Sequence, residues 1–223
     1  MKIDMHTHSK YSSDGVSSVE SMFIVAKKKG VSGIALTDHS TAVGWKDAQA
    51  AAKKHKMFFV KGEEIKAFDE SRNRLGDVLC FFLQKQVNAR SLFEIVDEVK
   101  EQDALLFMAH PFDYTKPCFG EKAGKFSRHF DGVEVFNSKT VRPDFNEKAL
   151  VFARKYKFLQ SAGSDAHIKY EVGNAYVEAD AFDLEEFRKA LIKRKIKVRG
   201  KISPRYLSAI SCLQKAFSKA GRR

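Results

Sequence analysis

Histidines and acids set the chemistry this 223-residue chain could do. His6 and His8 form an H-x-H pair, Asp38 and His39 are adjacent, and Glu64 and His110 stand singly. Asp165 and His167 make a second pair two residues apart. Residues i and i+2 of an extended strand point to the same side, so each pair can grip one ion. Imidazoles mixed with bridging carboxylates suit Mn, Zn or Fe better than Mg or Ca alone. Paired divalent metal ions of this kind would clamp the attacking and leaving oxygens of a phosphoryl transfer and supply a metal-bound hydroxide. A lone histidine is more often a surface or hydrogen-bonded residue than a ligand. Five of the seven histidines placed this way, with acids between them, make chance placement improbable. The other two read differently: His55, inside Lys53-Lys54-His55-Lys56, as solvated, and His129 as surface. Asp14, before Gly15, and Gly163 read by themselves as turn residues.

The elements that must position these side chains are short. Apolar strand-like runs occur at 3–5, 33–37, 58–60, 78–83, 105–109, 132–136, 158–161 and 175–177. Between them lie helical stripes, such as Val19, Met22, Phe23 and Ala26, then Leu92, Ile95, Val96 and Val99, then Leu184, Phe187 and Leu191. This alternation predicts α/β architecture with parallel strands and helices packed outside, a barrel or a doubly wound sheet. Each polar group comes at or just beyond the C-terminal end of a strand. In a parallel barrel those ends open on one face, so residues far apart in sequence converge there. Pro204 and the stripe Tyr206, Ile210, Leu213 and Phe217 predict a C-terminal helix, with an apolar face suited to docking.

The stretches Asp4-Met5-His6-Thr7-His8-Ser9, Ser13-Asp14-Gly15, Leu36-Thr37-Asp38-His39, Gly62-Glu63-Glu64-Ile65, Met108-Ala109-His110-Pro111 and Ala162-Gly163-Ser164-Asp165-Ala166-His167 have a familiar order. In them the chain resembles the PHP (polymerase and histidinol phosphatase) family of metal-dependent phosphoesterases, over residues 1–180. The resemblance implies a distorted seven-stranded (β/α) barrel with a metal site at the C-terminal ends of its strands. Its ligands would be His6, His8, Asp14, His39, Glu64, His110, Asp165 and His167, with Glu64, rather than Glu63, bridging two ions. Asp38 would orient a ligand histidine, and Asp38, His39, Glu64 and His110 would act on the reaction. Family members with a full trinuclear site often place a histidine near the strand after the glutamate; here Gly76-Asp77-Val78 stands there. Asp77 either supplies an oxygen ligand or leaves the site one ligand short. Glu134-Val135-Phe136-Asn137 also fits the family. Asn137, Lys139 and Arg142 behind it are candidates to bind a substrate phosphate, with Lys116 a lesser one and ordinary loop surface the alternative.

Composition narrows the field. With 43% hydrophobic and 30% charged residues the chain can pack a core. No apolar run approaches the roughly 20 residues of a membrane span, and no signal-peptide core opens the chain. Cys80, Cys118 and Cys212 form no C-x-x-C pair and read as reduced thiols of a cytoplasmic protein. The net charge of +12 belongs to the end: residues 188–223 hold thirteen of the 40 Lys and Arg and none of the 28 acids. We therefore expect a barrel over 1–187 and a basic segment over 188–223, docked on it. That segment suits a polyanion, nucleic acid first, or is simply a solvated surface. The expected partner is a phosphorylated substrate, with no membrane and no inferable protein partner. The leading expectation is phosphoester hydrolysis at a nucleotide or nucleic-acid 5′ end. The rivals are a phosphatase of a small metabolite such as histidinol phosphate, an amidohydrolase-like barrel, and a non-catalytic nucleic-acid-associated accessory domain. The amidohydrolase reading lacks a plainly placed strand lysine. The accessory reading sits badly with eight motif positions that all keep competent ligand types.

Overall fold

The structure is a computed structural model and describes residues 1–204, 206, 207 and 210. Nine strands form one sheet in the order β7-β6-β5-β4-β3-β2-β1-β8-β9. They are β1 (Lys2–Thr7), β2 (Gly33–Leu36), β3 (Phe58–Phe68), β4 (Arg74–Phe81), β5 (Leu105–Met108), β6 (Gly132–Asn137), β7 (Leu159–Gly163), β8 (Ala175–Ala179) and β9 (Ile196–Gly200). The first seven curl into a nearly closed barrel. Its seam lies beside the H-x-H pair: the Asp165 amide donates to His6 O and the His8 amide to Ala166 O, both at 2.8 Å.

The helices are α1 (Val19–Lys28), α2 (Trp45–His55), α3 (Leu92–Glu101), the single turn α4 (Ala123–Phe126), α5 (Pro143–Lys155) and α6 (Leu184–Ile192). The stripes seen in sequence are their inner faces: Val19, Met22, Phe23 and Ala26 of α1 and Leu92, Ile95, Val96 and Val99 of α3 are all buried. Strand alternation splits the core in two. Ile34 and Leu36 pack with α1 and α3. Ala35, between them, joins Ile3, Met5, Phe81 and Phe107 on the other face, against Phe187 and Leu191 of α6. Strands buried on both faces explain why β2 and β5 read as unbroken apolar runs.

Two expectations are corrected. The strands are not all parallel: β4 runs antiparallel to both β3 and β5. A tight turn causes it, since Asp69 accepts the Asn73 amide at 2.8 Å and no crossover helix fits there. β3 continues to Phe68, so Glu64 lies within a strand, not past its end. Residue 187 lies within α6, and β9, which follows, pairs along its length with β8. The stripe Leu213 and Phe217 lies outside the described residues, as does Cys212; Cys80 and Cys118 are free thiols. Among the described residues no helix is long and apolar enough to cross a membrane.

Candidate metal centre

β1 delivers His6 and, just past its end, His8, both fully buried, with their Nε2 atoms 3.0 Å apart. β3 delivers Glu64 beneath them. Its Oε2 is 3.3 Å from His6 Nε2, 3.1 Å from His8 Nε2 and 3.3 Å from His39 Nδ1, while Oε1 is 3.1 Å from His110 Nε2. One carboxylate thus touches four imidazoles, from the ends of three other strands. Asp14 joins from the loop after β1, with Oδ2 2.8 Å from His167 Nε2 and 3.4 Å from His39 Nε2. Asp165 sits over the seam, Oδ1 3.6 Å from His8 Nε2.

Local backbone serves this convergence. His110 and Asp165 take positive φ, 28° and 52°, a region that costs side-chain-bearing residues energy and is kept where the surroundings enforce it. Gly163 is not merely a turn glycine. A Cβ there would lie 2.2 Å from His6 Cβ, so only glycine lets β7 approach β1 this closely.

Three groups of side chains have candidate ligand atoms within 4.8 Å of one another: His8, Asp14, His39 and His167; His6, His8 and Glu64; and Glu64, Asp77 and His110. They share His8 and Glu64, so they form one continuous cluster of candidate ligands. Two further observations fit cations here. The facing His6 and His8 nitrogens can share at most one proton, the buried Nδ1 of His110 has no hydrogen-bond partner, and that of His39 has only the Glu64 carboxylate at 3.3 Å, outside hydrogen-bond geometry. Nitrogen and oxygen donors in this mixture suit a transition metal. Asp77 falls within the third group, though Arg74 already donates to its Oδ1 at 2.7 Å.

The electrostatics is that of a crowded charge cluster. Burial disfavours charge on His6, but Glu134, Glu64 and Asp165 outweigh it and hold its pKa well above the usual value. Burial likewise opposes a charged His39, and Asp14 and Glu64 nonetheless push it up to about 9. His167 goes the other way, down to about 4, because burial and the neighbouring His8 dominate. Glu64 and Asp165 are held well below the carboxylate range against burial, Glu64 chiefly by His6 and Asp165 chiefly by Lys116.

The phosphate-binding candidates separate. Lys139 reaches the site, with Nζ 2.8 Å from His167 Nδ1. So does Lys116, whose Nζ is 2.5 Å from Asp165 Oδ2 and 3.1 Å from Asn137 Oδ1. Asn137 is buried between Asp165 and Glu134. Arg142 is not brought in: its side chain is 66% exposed and paired with Asp144 at 2.9 Å. Asp38 orients no histidine. It accepts from the Ser9 amide at 2.6 Å and the Ser9 hydroxyl at 2.7 Å, fixing the turn after His8. Orienting falls to Glu134, which the sequence reading left without a role: Oε1 holds His6 Nδ1 and Oε2 accepts the His110 amide, both at 2.9 Å. Its place on β6, inside the motif Glu134–Asn137, was the available signal. His55 is half-buried against Glu20 rather than fully solvated, and His129 stacks edge-on with Phe93.

A nearly closed α/β barrel with an imidazole–carboxylate cluster at its seam defines a class of metal-dependent domain. The PHP domain model matches residues 4–220, and the chain belongs to that family. An uncharacterised protein of Methanocaldococcus jannaschii is 33% identical over 193 residues, covering 83% of this chain and 73% of that one. The PolC-type DNA polymerase III of Bacillus subtilis is 37% identical over 70 residues, 31% of this chain and 5% of the polymerase. Among solved structures, a two-domain protein of Bacteroides vulgatus containing a predicted PHP-like metal-dependent phosphoesterase superposes with TM-score 0.74 at 20% identity; the match covers 90% of this chain and 65% of that one. Endonuclease Q, in complex with a 27-mer duplex carrying an abasic lesion at its active site, gives 0.62 at 19% identity, over 90% of this chain and 58% of that one.

Proposed function

We propose that this chain is a metal-dependent phosphoesterase whose substrate is a nucleotide or the 5′ end of a nucleic acid. The observation that carries the reading is the pair of ammonium groups, Lys116 and Lys139, set against the imidazole–carboxylate cluster. Cations beside a candidate metal centre suit a phosphate more than an amide or a neutral ester. His6, His8, Asp14, His39, Glu64, Asp77, His110, Asp165 and His167 are the residues that would hold two or three divalent ions, Mn, Zn or Fe. When bound, such ions supply Lewis-acid activation of water and neutralise charge on phosphoryl oxygens. The chain's own part is to orient and to bind. Glu134 keeps the His6 proton on Nδ1 and so its Nε2 lone pair toward the centre. Lys116 and Asn137 fix the outer oxygen of Asp165. Lys139 meets a non-bridging phosphate oxygen. The nucleic-acid preference draws on the acid-free segment 188–223, on the local likeness to a DNA polymerase, and on the DNA held by Endonuclease Q. Free thiols fit a cytoplasmic enzyme.

The test is phosphate release by metal-stripped and Mn-reloaded protein from p-nitrophenyl phosphate, a nucleoside 3′,5′-bisphosphate, a 5′-phosphorylated oligoribonucleotide and histidinol phosphate. We expect metal-dependent release, strongest on the oligonucleotide or bisphosphate, and its loss in His8→Ala. Preference for histidinol phosphate would move the substrate to a small metabolite. Silence across the panel with metal bound would sink the phosphoesterase reading.

A further inference from the structure

His167 Nδ1 has two neighbours at the same distance, Lys139 Nζ and the carbonyl oxygen of Asp165, each at 2.8 Å. An ammonium can only donate and a carbonyl can only accept, so a neutral imidazole satisfies one of them at a time. If Nδ1 accepts from Lys139, the ring proton sits on Nε2 and is donated to Asp14 Oδ2, 2.8 Å away. If Nδ1 donates to Asp165 O, Nε2 presents a lone pair to the group it shares with His8, Asp14 and His39. The two patterns belong to different tautomers, and only the second makes His167 a metal ligand through Nε2.

We infer that Lys139 and a divalent ion exclude one another at His167, so that ion binding releases Lys139 to take the substrate's phosphate. The inference rests on the phosphoesterase reading and adds to it how phosphate binding is coupled to the ion site. Lys139 is placed for the transfer. Its amide is held by Asn137 Oδ1 at 2.9 Å, which anchors the backbone while the side chain stays 17% exposed. Beyond His167 its partners are longer: a hydrogen bond to Asp165 O at 3.4 Å and an ion pair with the buried Glu171, Oε2 at 3.6 Å. Glu171 Oε2 is already taken by the His167 amide at 2.8 Å. Lys116 differs. Its acceptors, Asp165 Oδ2 and Asn137 Oδ1, have no tautomer to change, so the competition at His167 does not involve it.

The experiment is nitrogen-15 NMR of histidine-labelled protein, metal-stripped and zinc-loaded, for wild type, Lys139→Met and Lys139→Arg, with inorganic phosphate titrated into each. In stripped wild type His167 Nδ1 should be an unprotonated acceptor, and zinc should move the proton onto it. Lys139→Met should carry the proton on Nδ1 before zinc is added, whereas Lys139→Arg, which keeps a donor, should behave as wild type. Zinc-loaded Lys139→Met should bind phosphate about tenfold more weakly than zinc-loaded wild type, one lost charge-assisted hydrogen bond, with no difference between the stripped proteins. A protonated Nδ1 in stripped wild type, or an equal loss of phosphate affinity with and without zinc, overturns the inference. A protein that shows the tautomer exchange yet releases phosphate from no substrate in the panel would lose the phosphoesterase reading alone.

Discussion

Glu134 illustrates how a residue controls a site without facing its centre. It binds His6, the His110 amide and Asn137 at once, so it spans three of the strands that meet there. Glu134→Gln keeps the shape but weakens the hold on the His6 proton. Metal affinity, measured by competition with a chelator, should drop roughly 10–100-fold while the fold persists. Its neighbour in type, Glu63, does something else. It is fully buried, accepts only the Val87 amide and leaves its other oxygen without a partner; burial pushes its pKa up to about 8. A carboxyl raised in the folded state keeps its proton there while the unfolded chain loses it. The contribution of Glu63 to stability is therefore full below pH ~4.5, falls between there and pH 8, and levels off above. Glu63→Gln retains the acceptor and removes the charge. It should stabilise the protein by on the order of 1–3 kcal/mol at pH 9 and by little at pH 4.5, as read from urea unfolding at both pH values.

Closeness of elements is the next constraint. β7 rests on β1 through Gly163, where an added methyl would overlap His6. Gly163→Ala should cost about 1–3 kcal/mol of stability and lower bound metal in parallel, checked by denaturation and metal analysis on the same preparation. An intact metal content would show that the strands can part without disturbing the imidazoles. At this scale sequence and structure agree in part. The apolar stripes of α1 and α3 and the runs of β2 and β5 were legible because burial imposes its period directly. The strand-end histidines were legible because a two-residue spacing has one geometric meaning. The reversal of β4 was not, since an apolar run carries no direction, and the 69–73 turn has no proline or glycine to flag it. β9 was hidden because it is an edge strand with alternating basic residues and little apolar content. The role of Glu134 was not legible because its partner His6 is 128 residues away, a separation no local pattern reports.

For the molecule as a whole the uneven charge is the governing fact. Residues before 188 are nearly neutral in sum, and the excess is concentrated behind them. The described start of that segment is stitched to the loop bearing Lys139: the Ser203 amide donates to Ser138 O at 2.7 Å, and the Asn174 side chain donates to Ser203 Oγ at 2.8 Å. Replacing Lys215, Lys219, Arg222 and Arg223 by Gln should reduce the salt slope of single-stranded oligonucleotide binding by up to about 3, while p-nitrophenyl phosphate release is unchanged. An unchanged slope would place the phosphate contacts elsewhere on the surface.

The seam between β1 and the exit of β7 has a consequence in time. Residues 6–8 and 165–167, which close it, are separated by most of the chain. A chain growing from its N-terminus exposes the H-x-H pair first, and the seam can close only once residue 167 has emerged. Divalent ions in the surroundings should act less on the early collapse than on this final closure, slowing the reopening of the finished barrel like a clasp fastened after the garment is on.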